Sequence, residues 1–144
     1  MKLWFNLMSR DIEAQFRFYR TVFGLPEAEA AHSPIYRALE TKDFQLGFND
    51  GRAAYGLLGL DGRQAPDTTG PRPTVAYATF MLASPMAVDE AVQAVQAHGG
   101  QVVKGPFATY YGQWQAVLAD PEDNVFRIAT DSLPEGVTAP RLTT

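Results

Sequence analysis

Arg10 to Pro26 reads R-D-I-E-A-Q-F-R-F-Y-R-T-V-F-G-L-P, and its spacing decides how the flanking chain is read. Ile12, Phe16, Tyr19 and Phe23 fall at i, i+4, i+7 and i+11, one face of a helix with 3.6 residues per turn. Ser9 or Asp11 can cap its first N–H groups, and Gly24 with Pro26 supplies the stop. Glu13 and Arg17 read as an i, i+4 surface pair. Upstream, Lys2 to Met8 (K-L-W-F-N-L-M) is a short apolar strand. Downstream, strand-like stretches run from Ile35 to Thr41, Phe44 to Asn49 and Tyr55 to Leu60. Turn signals separate them at Thr41-Lys42-Asp43 and at Asn49-Asp50-Gly51, the latter read as a hairpin cue. The first half is therefore predicted to be βαβββ.

The pattern restarts after a Pro- and Gly-rich connector, Asp61 to Pro73. Thr74 to Leu82 is strand-like, and Ser84-Pro85 offers a cap and a first-turn proline. Val88, Ala91, Val92 and Val95 recur at helical spacing up to the stop at Gly99-Gly100. Gln101 to Lys104, Gln113 to Ala119 and Val125 to Ala129 are further strands, with Pro121-Glu122-Asp123-Asn124 as the last turn. The stop glycines Gly24 and Gly99 lie 75 residues apart in a chain whose half-length is 72. A duplicated unit is the simplest account. The expected fold is α+β: two tandem βαβββ modules forming a half-open, eight-stranded, barrel-like cavity. The boundaries of that single domain are module one 1–60, linker 61–73, module two 74–130 and tail 131–144.

Composition narrows the function classes. With 144 residues, 46% hydrophobic and 12% aromatic, the chain can bury a core and is not a disordered polymer. A net charge of −4 and no Lys/Arg run exclude the electrostatic footprint of a nucleic-acid binder. Cysteine is absent, so disulfides, thiolate nucleophiles and thiolate metal sites are excluded together. No secretory or membrane-length apolar run is seen, and the expected setting is cytoplasmic, without membrane partners.

Three stretches together resemble the vicinal oxygen chelate superfamily, which contains glyoxalases, bleomycin- and fosfomycin-resistance proteins and extradiol dioxygenases. Arg10 to Pro26 is similar to its D-x-x-x-S-x-x-F-Y-x-x-x-L-G-x signature, and Ser84 to Gly100 to its second-module helix. Tyr111-Gly112 followed by Ala119 to Phe126 resembles its W-G … D-P-D-G-N ending. The resemblance implies a divalent metal held by His, Gln or Glu from four cavity strands. Carried over residue by residue, those positions fall on Trp4, about Tyr77, Arg127 and, on the stretch Tyr55 to Leu60, Gly56 or Leu58. Indole and guanidinium do not ligate a hard cation, and a fixed positive charge repels one. Two unit charges about 4 Å apart interact by roughly 4 kcal/mol at an effective dielectric near 20. His32 and His98 fall in a loop and at a helix end, each read as exposed. The expectation is no metal and no cofactor.

If Trp4 faces the cavity, Asn6 and Met8 do too; Tyr77, Thr79 and Met81 share a face, as do Gln113 and Gln115, with Trp114 opposite. The expected ligand-binding residues are Trp4, Asn6, Tyr77, Thr79, Tyr111, Gln113 and Arg127, with no catalytic residue assigned. Such a wall suits an aromatic or apolar body with an anionic handle clamped by Arg127. Arg127 is open between this role and pairing with a carboxylate such as Glu40, and Tyr110-Tyr111 between a lip over the site and a dimer contact. The expected function is metal-free small-molecule binding in a homodimer. The alternative is a metal-dependent glyoxalase-like lyase, isomerase or dioxygenase.

Overall fold

A computed structural model describes residues 2–58 and 76–141. The chain divides into two compact units, Met1–Arg72 and Pro73–Thr144. Each is a mixed sheet backed by one long helix, so the α+β class expected from the sequence is what the structure shows.

In the first unit, β1 (Leu3–Ser9), β2 (Tyr36–Glu40) and β3 (Phe44–Asp50) lie in the order β1-β3-β2. β1 runs parallel to β3, and β2 antiparallel to it. The helix α1 (Ile12–Phe23) starts at Asp11, whose carboxylate accepts from Ala14 N at 2.9 Å, and stops at Gly24 in the left-handed conformation. Of the two caps the sequence allowed, Asp11 is the one used. Phe16 and Tyr19 are buried and their rings stand 6.4 and 5.4 Å from Phe48. Burying each such ring contributes about 1.5–3 kcal/mol. Arg37 also lies on this helix side, bound to Glu13 at 2.6 Å and Glu27 at 2.7 Å and stacked 3.8 Å over Phe16. Burial works against its charge, yet the bonds and charges of the two glutamates outweigh it and raise its pKa. Glu13 is thus engaged by Arg37 across the fold, whereas the sequence suggested Arg17 one turn away.

The predicted strand Tyr55 to Leu60 is corrected. Gly51–Leu57 forms a helix, α2, and Gly59 and Leu60 lie outside the described residues. Asp50 Oδ1 accepts from Arg52 N at 3.1 Å and Ala53 N at 3.0 Å, a helix cap in place of the hairpin turn read from Asn49-Asp50-Gly51. The outer place in the sheet is taken instead by the segment after α1. Glu27 bridges Leu39, with Ala28 N donating to Ala38 O and Glu40 N to Pro26 O, each at 2.9 Å. The described residues therefore hold seven strands and two isolated bridges, Glu27 to Leu39 and Ser33 to Tyr36, where eight strands were expected.

In the second unit, β4 (Ala78–Met81), β5 (Gln101–Ala108), β6 (Trp114–Ala119) and β7 (Val125–Thr130) lie in the order β4-β7-β6-β5. Again the first strand pairs parallel with the last. The helix α3 (Pro85–Ala97) is capped by Ser84, which accepts from Ala87 N at 3.1 Å, and buries Val88, Ala91, Val92 and Val95 as their spacing predicted. Phe126, Ile128, Ala116 and Leu118 are buried on one parity of β7 and β6. Trp114 shares that parity and donates its indole N–H to Asp89 of α3 at 2.9 Å. The other parity, the face away from α3, carries the residues of interest.

Candidate functional site

Register places Thr79, Arg127 and Val117 in one row across β4, β7 and β6, on the face away from α3. Arg127 Nε donates to Thr79 Oγ1 at 3.1 Å, and Nη1 donates to Tyr111 Oη at 3.3 Å. Tyr111 Oη in turn donates to Gln115 Oε1 at 3.0 Å, on the same face and buried. The guanidinium carbon lies 5.6 Å from the centre of the Tyr77 ring. Tyr111 reaches this position from a tight turn in which Gly112 adopts φ 87°, a conformation that favours glycine, and its N–H donates to Thr109 O at 3.1 Å. No carboxylate lies within ion-pair distance of Arg127 among the described residues of its unit. A planar cation held by a hydroxyl and a phenol keeps its charge available for an anion.

The equivalent face of the first unit carries a different arrangement. Tyr36 Oη donates towards Gln45 Oε1 at 3.0 Å and Asn6 Oδ1 at 3.3 Å, and Asn49 Nδ2 donates to Asn6 Oδ1 at 3.2 Å. Gln45 Nε2 donates to Glu40 at 3.4 Å, and Glu40 is ion-paired with Lys2. Asn6 and Tyr36 lie over Gly47, where an added Cβ would run into Asn6 Oδ1 and the Tyr36 ring and hydroxyl. Burial, with Glu40 as a second cause, holds the Tyr36 phenol above its ordinary value. Sequence reasoning missed Tyr36, Gln45 and Asn49. Their alternation along β2 and β3 was legible, but the pairing that brings them together was not.

Of the seven expected ligand-binding residues, four are brought together: Tyr77, Thr79, Tyr111 and Arg127. Asn6 belongs to the Tyr36 network, and Trp4, two residues earlier on the same face of β1, is 60% exposed. Gln113 points elsewhere, donating to Asp131 at 2.7 Å from a turn whose Thr109 also holds its backbone N–H. His32 and His98 are both exposed.

The side chains do not fit the divalent metal that the resemblance implies. Register also corrects the fourth position. Asn6 pairs with Gly47 as Thr79 pairs with Arg127, so the counterpart of Arg127 is Gly47 and not a residue of 56–58. The four places then hold an indole, a phenol, a guanidinium and no side chain, which is not a ligand set for a hard cation. No group of three or more His, Cys, Asp or Glu side chains suited to a metal occurs among the described residues.

Two units of strand, helix and mixed sheet, with polar and aromatic groups on the face away from each helix, define an α+β protein built by internal repetition. The chain belongs to the Glyoxalase/Bleomycin resistance protein/Dioxygenase superfamily, whose family model matches residues 3–128. It is 40% identical to a glyoxalase/bleomycin resistance protein/dioxygenase family enzyme from Burkholderia phytofirmans PsJN, with a TM-score of 0.78 over 88% of this chain and 95% of that one. A glyoxalase-related enzyme from Fulvimarina pelagi shares the fold at 21% identity and a TM-score of 0.74, covering 90% of this chain and 87% of its own. Lactoylglutathione lyase from Agrobacterium tumefaciens shares it at 20% identity and 0.62, covering 90% and 92%. The comparison with curated proteins gave no match. No helix of the described residues is long and apolar enough to cross a membrane.

Proposed function

We propose that the chain binds a small molecule in the manner of the resistance-type members of its superfamily, without a divalent metal at the superfamily's metal position. Its two units act as one domain, with linker and tail as assigned from sequence, in a cytoplasmic homodimer. The carrying observation is Arg127, held by Thr79 and Tyr111 beside the Tyr77 ring, with no carboxylate partner among the described residues of its unit. A guanidinium so held is an anchor for a carboxylate, phosphate or polarised carbonyl. Tyr77 and Tyr111 are about half exposed and offer ring faces to the body of the ligand. The Burkholderia relative is described as an enzyme, and metal-dependent chemistry is the competing reading.

The test is a thermal-shift and titration panel of aromatic carboxylates against their neutral amides, with metal analysis of the same preparation. Naphthoate is expected to bind at least about tenfold more tightly than naphthamide, and Arg127→Ala to abolish the difference. Arg127→Lys should keep part of it, because a point charge lacks the planar fork. Equal binding of acid and amide, or a stoichiometric divalent metal carried by the pure protein, would refute the proposal.

A further inference from the structure

The row that holds Arg127 continues into β5, where it ends on a second cation. Thr79, Arg127, Val117 and Lys104 are successive register partners across β4, β7, β6 and β5. Met81, Ala129, Gln115 and Phe107 form the adjacent row. Strict alternation from Val102, which pairs with the buried Leu118, would put Lys104 on the α3 side. An irregularity between Val102 and Lys104 instead turns Lys104 to the Arg127 face, and a second one before Phe107 brings that ring to the same face. There the Lys104 ammonium lies 3.6 Å from the centre of the Phe107 ring. Two successive register shifts thus bring a cation and the aromatic ring beneath it to one face.

Neither Lys104 nor Arg127 has an ion-pair partner among the described residues of the unit. Asp89 is engaged by Trp114 on the helix side and Asp131 by Gln113. The face thus concentrates two positive charges in a chain whose net charge is −4. Two strand spacings separate their backbones, about 10 Å. Between them lie Val117, the buried Gln115 and the Tyr111 hydroxyl.

Resting on the reading of Arg127 as an anion anchor, we infer that the ligand is a dianion. Its two anionic groups are joined by a flat apolar body, with one end on Arg127 and the other on Lys104, whose backbones stand about 10 Å apart. Val117 and the rings of Tyr77 and Phe107 take the body, and the two cations set its length and its charge.

The test uses biphenyl carrying a carboxylate at each para end, against biphenyl with one carboxylate, by calorimetric titration of the whole chain. The dicarboxylate should bind about tenfold more tightly than the monocarboxylate, with the steeper salt dependence. Lys104→Met keeps an apolar side chain over Phe107 and should erase that preference by lowering dicarboxylate affinity about tenfold. Lys104→Arg should restore it. If wild type binds both acids equally and Arg127→Ala weakens both, the anchor reading survives and the dianion inference falls. If Arg127→Ala changes neither affinity, or neither acid binds, both fall.

Discussion

Gly47 and Arg127 occupy equivalent places in the two units, and the difference between them shapes each face. Where the second unit projects a guanidinium, the first leaves a gap into which Tyr36 and Asn6 lean. The Tyr36 phenol is held above its ordinary 10.0, first by burial and then by the charge of Glu40. A phenol whose proton is held more tightly in the folded state adds stability that is complete below the ordinary value and lost as pH rises through the folded one. Tyr36→Phe should therefore cost about 1 kcal/mol at neutral pH, measured by denaturant unfolding. The gap between wild type and variant should shrink in the alkaline range, and a gap constant throughout would refute the assignment. Asn6 and Arg127 were legible as residues of the right type on the right parity. Tyr36 was not, because its partners Asn6 and Gln45 stand 30 and 9 residues away.

At the scale of elements, caps and periodicity carried the helices. Asp11 and Gly24 bound α1, and Ser84 with Pro85 starts α3, where the sequence placed them. Asn49-Asp50-Gly51 failed as a hairpin signal because Asp followed by Gly and Arg-Ala-Ala serves equally as a helix cap. With β3 already paired to β2 on one edge and β1 on the other, no edge of β3 remained for a further hairpin strand. Asp50→Ala should then lower stability by about 1 kcal/mol, with Asp50→Asn near wild type; chemical denaturation decides it. An unchanged midpoint for the alanine variant would mean the carboxylate does not hold α2. The bulges of β5 had no sequence signal beyond Gly105-Pro106, since a bulge is a relation to the neighbouring strand.

Across the whole molecule, repetition dominates: in each unit the first strand pairs parallel with the last, and a single helix covers one face. Each unit repeats the same strand places, and at one of them Arg127 is proposed to anchor an organic anion in place of a divalent cation. Zinc, nickel, manganese or iron added to the apo-protein should leave its melting temperature unchanged, whereas a bound metal at a hundred times its Kd would add about 2.7 kcal/mol. A metal-dependent rise in melting temperature, retained in Arg127→Ala, would overturn the assignment. Local spacing alone determined the α+β class, the repeat, the helices α1 and α3 with their stops, and the indole and guanidinium at positions 4 and 127, because those features depend on neighbours within a few turns of chain. Strand register was decided by tertiary structure. It made Gly47 the counterpart of Arg127, drew Thr79 and Tyr111 to the guanidinium, sent Gln113 to Asp131 and turned Lys104 onto that face. Register follows from which strand edges remain unpaired and how side chains fill the space between them, and neither is written in any single stretch of sequence.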